Sequence, residues 1–270
     1  MTPLLPFSGG KTAEAARYLL LAATAMELDP LRTALQQAEG AGQGGDSSFD
    51  FLLCGVGPTA AAAALAGYLA CRTEEYAGVI LAGTAGAYPV PTHAREAGPG
   101  QAAAAEGPGP AGLLDLCLAA REVLGDFGVA ATHGAEPFAQ SNLGADYEFL
   151  LESPLLRSAR TILQRLDTPF HCGTFITVNA ATATLERGLA LAGRHQGLCE
   201  NMEGAAVALV CRNLGLPLLE IRCVSNMVED RDPDRWLLTE AIRRNAEVLS
   251  RLLPELALAS VAGLQANGAP

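Results

Sequence analysis

An α/β fold of three layers, with helices on both faces of a central, largely parallel mixed sheet, is the architecture this sequence predicts. The first observation is alternation. β-Rich apolar runs give way repeatedly to helical segments across short turns marked by Gly or Pro, the pattern of β-α-β units. The second is size and composition: 270 residues, 50% hydrophobic and 17% charged, can bury a large core, and α/β folds of this length are commonly one domain. The third is that no internal repeat divides the chain, so residues 1–270 are expected to form a single domain.

The elements follow in order. Residues 1–16 read as a poorly ordered lead-in. The apolar stretch 18–26 is short and is stopped by Glu27 and Asp29, so it reads as a strand entering a turn and not as a signal peptide or membrane span. Strand YLLLAAT (18–24) leads to a helix LRTALQQAE (31–39), with Pro30 in the first turn, where no amide donor is needed. A Gly/Ser loop (40–48) precedes strand FDFLLCGVG (49–57) and helix TAAAAALAGYLACR (59–72). Strand YAGVILA (76–82) then ends in a Gly-rich turn, Gly83-Thr84-Ala85-Gly86-Ala87.

Residues 91–111 are low-complexity Ala/Gly/Pro, unable to build a strand or core, and are expected to be a mobile insertion. The chain re-enters as LLDLCLAAREVLGDFGV (113–129). Residues 134–155 read as an irregular surface excursion, 157–166 as a helix, and 169–184 as a strand running into a polar Thr/Asn turn. The last third is the most informative. A slim apolar helix (204–216) is followed by a turn at Gly215-Leu216-Pro217, a strand LLEIRCV (218–224), a polar loop, and a closing helix (233–256) with Trp236 and Leu237 on its apolar face.

Composition excludes several classes. A net charge of −11 and a pI near 4.8 argue against a nucleic-acid or anionic-membrane surface. Seven cysteines with no CxxC spacing, several inside apolar runs (Cys54, Cys211, Cys223), read as reduced thiols in a cytoplasmic protein. His93, His133, His171 and His195 share no ligand spacing, so no metal is expected. There is no G-x-S-x-G elbow. Gly55-Val56-Gly57 is followed by Pro58 and Thr59, an incomplete dinucleotide fingerprint. No cofactor is expected.

What remains is polar residues at element ends. Glu203 sits where a helix begins, Ser225-Asn226 where a strand ends, and Glu27 after the first strand. Ligand-facing groups collect at the C-terminal ends of parallel strands, so all of them point to one small molecule. Bland readings stand beside these. Asn201 would cap the helix with Glu203 complementing its dipole, Glu27 would be a solvated helix-start carboxylate, and Asn226 an ordinary turn residue.

The strings Asn201-Met202-Glu203-Gly204-Ala205-Ala206 and Glu220-Ile221-Arg222-Cys223-Val224-Ser225-Asn226 resemble the nucleosidase branch of the purine nucleoside phosphorylase superfamily. The Ser-Asn pair, continued by Arg231, Asp232 and Trp236, and the segment from Arg121 to Gly128 look most like its futalosine hydrolases. The resemblance implies hydrolysis of the N-glycosidic bond of futalosine, giving hypoxanthine and dehypoxanthine futalosine, in menaquinone biosynthesis. It also implies a nucleoside substrate and a homodimer or higher homo-oligomer.

It implies residue roles as well. Glu27 would activate the water, with Asp29 as the alternative, and Glu203 would accept from the ribose hydroxyls, since a carboxylate with two oxygens suits a vicinal diol. Met202 would pack on the sugar, and Ser225 would stand beside the base. Ala85 and Gly86 would offer close backbone approach, Phe175 would stack on the purine, and the backbone of Ile176 would meet its edge. Asn226 would read the base: its NH2 group offers two donors, matching N7 and O6 of a 6-oxopurine, where adenine-specific relatives carry an aspartate. The segment from Arg121 to Gly128 would border the far end of the substrate, with Glu122 and Asp126 equally readable as surface charges.

Three rivals stay open. A methylthioadenosine/adenosylhomocysteine nucleosidase would want an acid at 226. A 6-oxopurine nucleoside phosphorylase would want a cationic cradle that the turns after the first and third strands lack. A non-catalytic nucleoside binder would need no carboxylate at 27.

Overall fold

The computed structural model describes residues 16–39, 48–89, 110–131, 134–136, 138 and 146–266. The lead-in before residue 16 and nearly all of the 91–111 insertion lie outside the described residues. Ten strands and six α-helices succeed one another among the described residues.

The first half is β1 (Tyr18–Ala22), α1 (Ala25–Glu39), β2 (Phe49–Leu53), α2 (Pro58–Ala70), β3 (Gly78–Ala87) and β4 (Leu116–Leu124). β5 (Val129–Ala131) pairs in a small hairpin with β6 (Gly134–Glu136), and β6 and the short β7 (Glu148–Leu150) fall within the stretch 134–155 expected to be irregular. Then come α3 (Pro154–Arg165), β8 (His171–Thr177), α4 (Leu185–His195), β9 (Gly197–Asn201), α5 (Gly204–Leu214), β10 (Leu218–Met227) and α6 (Leu238–Ala266).

The large sheet is mixed and mainly parallel. β2, β1, β3 and β10 lie side by side in parallel register, as do β4, β8 and β9. Antiparallel pairs β10–β4 and β3–β9 join the two groups, so the strands β3-β10-β4-β8-β9 close into a ring, with β2–β1 continuing outward from β3. The sequence pattern predicts the largely parallel mixed sheet and its flanking helices but carries no sign of the closure. Closure depends on β3, whose far half pairs with β10 on one side and β9 on the other. That pairing also makes Gly83–Ala87 a strand where a turn is expected.

Helices cover both faces. Leu31 and Leu35 of α1, Leu156 and Leu163 of α3, and Leu249, Leu252 and Leu253 of α6 form one core with Leu20, Ile80 and Ile221. Ala61 and Leu65 of α2 and Ala205, Val207 and Ala208 of α5 form the other, with Leu19, Val79 and Val224. Successive strand residues face opposite layers, which is why Leu19 and Leu20 fall in different cores.

Two helix starts differ from expectation. α1 begins at Ala25, so Pro30 lies inside it and Glu27 is already helical, in the first turn. Pro233–Arg235 is a separate 3-10 turn capped by Asp232, and α6 starts only at Leu238, leaving Trp236 outside the helix.

Candidate active site

A cavity of about 320 Å³ opens at the ends of β1, β3, β9 and β10. Its lining includes Glu27, Ala85, Gly86, Met202, Glu203, Ser225 and Asn226, residues separated by up to two hundred positions in sequence.

Glu27 is held where α1 leaves β1. Oε2 accepts from Thr24 N (3.2 Å) and Thr24 Oγ1 (2.9 Å), and Oε1 accepts from Thr84 N (3.0 Å) and Thr84 Oγ1 (3.2 Å). This ties the helix start to β3. Asp29 is exposed, with Arg32 at 3.9 Å, and is not among the lining residues, so of the two carboxylates Glu27 is the one in the cavity.

Glu203 is the N-cap residue of α5, yet its side chain caps nothing. Capping falls to Asn201, whose Oδ1 accepts from Glu203 N (2.9 Å) and Gly204 N (2.8 Å). The carboxylate of Glu203 is freed for the cavity, where it accepts from Gly57 N (3.1 Å) and Arg222 Nη2 (3.1 Å) while only 3% exposed.

Arg222 is the functional residue that the sequence reading misses. Alternation along LLEIRCV marks it only as a strand position. Its guanidinium donates from Nε to Glu220 Oε1 (2.7 Å), from Nη2 to Glu203 and from Nη1 to the Thr84 carbonyl (3.0 Å). Burial opposes its charge, but Glu220 and Glu203 beside it outweigh that and hold it above the usual guanidinium range. Gly83 makes the crossing possible: a Cβ there would lie 3.0 Å from Glu27 Oε1 and 3.1 Å from Arg222 Nη1. The expectation of no cation near the Gly-rich segment is therefore corrected, since Arg222 arrives from β10. Two carboxylates already neutralise it.

Asn226 owes its aim to a bulge. Val224 pairs with Ala85 and Asn226 with Gly86, so Ser225 is the extra residue. The amide is fixed at both ends. Oδ1 accepts from Ser225 Oγ (2.9 Å), and Nδ2 donates to the Met227 carbonyl (3.2 Å), leaving one N–H unassigned. Gly86 must stay small here, because a Cβ would lie 3.0 Å from Nδ2. Trp236 and Arg231 also line the cavity, the guanidinium 4.5 Å from the indole centroid.

Phe175 and Ile176 do not join this set. Both are fully buried, Phe175 in the core beneath α5 and Ile176 beside Leu191 and Val178. They lie in the C-terminal half of β8 with β4 on one side and β9 on the other, and neither lines the cavity, so stacking on a base and edge contact are corrected to packing.

Glu122 is not a surface charge either. It is wholly buried, accepting from Thr177 Oγ1 (2.7 Å) and Asn201 Nδ2 (2.6 Å). Asp126 instead accepts from the amides of Asn179 and Ala180 and fixes the turn before Ala181 and Thr182, which line the cavity. All seven cysteines are free thiols. Among the described residues no group of His, Cys, Asp and Glu is arranged to hold a metal ion, and no helix is long and apolar enough to cross a membrane.

A cleft lined by three carboxylates (Glu27, Glu200, Glu203), two arginines (Arg222, Arg231) and the oriented amide of Asn226 suits a polar ligand bearing hydroxyls and a heterocycle. Comparison with known proteins agrees. Residues 51–257 match the model of the phosphorylase superfamily. The chain is 32% identical over 212 residues to the futalosine hydrolase of Streptomyces coelicolor, covering 77% of this chain and 80% of that one. It is 32% identical over 209 residues to the futalosine hydrolase of Thermus thermophilus, covering 77% and 83%.

Among solved structures, the fold is shared with a 5'-methylthioadenosine/S-adenosylhomocysteine nucleosidase from Helicobacter pylori (TM-score 0.69, 17% identity, 90% of this chain and 100% of that). It is shared equally with the native futalosine hydrolase of Helicobacter pylori strain 26695 (TM-score 0.67, 15% identity, 89% and 98%). With its fold, cleft and sequence in agreement, this chain belongs to the phosphorylase superfamily and, within it, to the futalosine hydrolase family of N-glycosyl hydrolases.

Proposed function

We propose that the protein hydrolyses the N-glycosidic bond of futalosine, releasing hypoxanthine and dehypoxanthine futalosine, in the cytoplasmic synthesis of menaquinone. The observation that carries this reading is Asn226, presented to the same cleft as Glu27 and Glu203 with its amide orientation fixed by Ser225 and Met227. The carbonyl of Met227 demands a donor, so the cleft meets the base with an N–H. A 6-oxopurine offers acceptors along that edge, whereas the 6-amino group of adenine would meet it donor to donor.

The steps follow from the residues. Glu203 has two lone-pair sites left after Gly57 and Arg222 are served, enough for two ribose hydroxyls. Glu27 is the general base. Two of its four bonds come from threonine hydroxyls, which rotate to let a water donate in their place. As the C–N bond breaks, ribose gains oxocarbenium character, by analogy with glycoside hydrolysis, and Glu27 and Glu203 supply the opposing charge. Asn226 stabilises the electrons arriving on the base. Phosphorolysis is disfavoured because Arg222 is paired with Glu203 and Glu220, and the cavity sets three carboxylates (Glu27, Glu200, Glu203) against its two arginines, Arg222 and Arg231, a lining that repels a dianion. Asn226 likewise disfavours a methylthioadenosine substrate.

The test is to offer futalosine, inosine and methylthioadenosine, with and without phosphate, and to follow free base. Hypoxanthine from futalosine without phosphate is expected; turnover only with phosphate, or preference for methylthioadenosine, refutes the proposal.

A further inference from the structure

We infer that Glu122 of β4 and Glu220 of β10 form a buried acid pair that shares one proton and positions Arg222 and the α5 cap around Glu203. Both side chains are 0% exposed. They converge beneath Gly204, where a Cβ would collide with Glu122 Oε1 and Glu220 Oε2 together. Glu220 spends Oε1 on Arg222 (2.7 Å), while Oε2 is buried without a conventional donor. What faces that orphan oxygen is Glu122. Two anions so placed repel strongly, but a proton on Glu122 Oε1 makes it a donor to Glu220 Oε2.

Burial, and then the charge of Glu220, push the Glu122 carboxyl well above its ordinary range. The other charged groups facing the pair are Arg222 and Glu203, with Glu27 beyond them. The thiol of Cys199 on β9, beside Cys117, is raised by burial and stays neutral.

The pair holds Glu203 from two sides. Glu220 fixes Arg222, which donates to Glu203. Glu122 fixes the NH2 group of Asn201, whose oxygen caps α5 at Glu203 and Gly204. With one shared proton, Glu122, Glu203, Glu220 and Arg222 sum to a single negative charge.

The hydrogen-bond pattern makes the two carboxylates unequal under substitution. In Glu220→Gln the new NH2 donates to Glu122 Oε1 and the remaining oxygen still accepts from Arg222, so no proton is needed. In Glu122→Gln the new NH2 either meets the Asn201 NH2 or leaves Glu220 Oε2 facing a carbonyl, so one bond is lost either way.

The experiment is chemical denaturation of wild type and both variants from pH 4 to 9, without substrate. The folded-state value for Glu122 is raised, so the wild-type contribution is complete below the ordinary carboxyl value of 4.5 and is lost as pH rises toward the folded value. Between these limits the wild-type unfolding constant should rise about tenfold per pH unit relative to Glu220→Gln, and Glu122→Gln should be the less stable variant. Parallel wild-type and Glu220→Gln curves, or equal stability of the two variants, overturn the shared proton.

The consequence for turnover rests on the hydrolase reading; the denaturation result does not. Glu220→Ala should lower kcat at least tenfold, with Glu220→Gln regaining most of the loss and following a flatter pH profile. Equal losses in both overturn the positioning role. If futalosine is no substrate, nothing turns over and the denaturation curves still decide.

Discussion

Asn226→Asp is the sharpest perturbation of the site, because the structure says what each atom of the new carboxylate would meet. One oxygen keeps the bond from Ser225 Oγ at 2.9 Å. The other replaces Nδ2, 3.2 Å from the Met227 carbonyl, so a donor–acceptor pair becomes two acceptors in a half-buried place. Losing that bond and leaving its partner unsatisfied costs about 1–3 kcal/mol. The base edge loses its N–H at the same time, at a similar ~1–3 kcal/mol. At about 1.4 kcal/mol per decade, the base-edge loss alone lowers kcat/KM on futalosine roughly tenfold to a hundredfold.

The readout is the ratio of kcat/KM on futalosine to that on methylthioadenosine, which cancels any general loss of folded protein. The ratio should fall by at least tenfold. Activity on futalosine should also recover partly as pH is lowered, when a protonated carboxyl can again donate to the base edge. An unchanged ratio refutes the reasoning, because a side chain that does not discriminate the substrates does not read the base.

Other substitutions probe the frame around it. Glu27→Gln removes the proposed general base and turns an NH2 toward the amide of Thr24 or Thr84; kcat should fall about 10²–10⁴-fold, while calorimetry still detects futalosine binding. Arg222→Met leaves Glu203 and Glu220 buried without their cation. It should destabilise by about 3–5 kcal/mol near neutral pH, with the penalty shrinking on acidification in denaturant titrations. Gly204→Ala drives a Cβ into Glu122 and Glu220 and should cost roughly 1–3 kcal/mol or more, seen as a lowered Tm.

Much of the fold is legible because the apolar strands are continuous and the helices are slim and Ala-rich. β1, β2, α2 and α5 fall within a few residues of their expected bounds. Gly83 and Gly86 mislead, because two glycines in five residues look like a turn. Here they are strand positions kept small for side chains arriving from α1 and β10. β9 has no flanking signal and is found only through its partners β8 and β3.

Glu27, Glu203 and Asn226 stand at element ends, where sequence alone can point to one cavity, and all three line it. Arg222 and the Glu122–Glu220 pair sit in mid-strand, where a charge looks solvent-facing unless the ring closure that buries it is known. Phe175 fails for the converse reason: an aromatic in a strand looks the same whether it packs or stacks.

The extra residue at Ser225 separates two demands on one strand. Up to Val224 the chain answers to the layers that flank it, and any shift by one position would turn Leu219 and Ile221 out of their core. Past the irregularity the register shifts, and the tip is held by Ala85, Gly86 and Ala87 of β3 and by the Leu237 amide, which donates to the Ser225 carbonyl. Terminal side chains can therefore be exchanged there without disturbing the core pairing below. A variant lacking Ser225 would restore a straight register and turn Asn226 from its present aim.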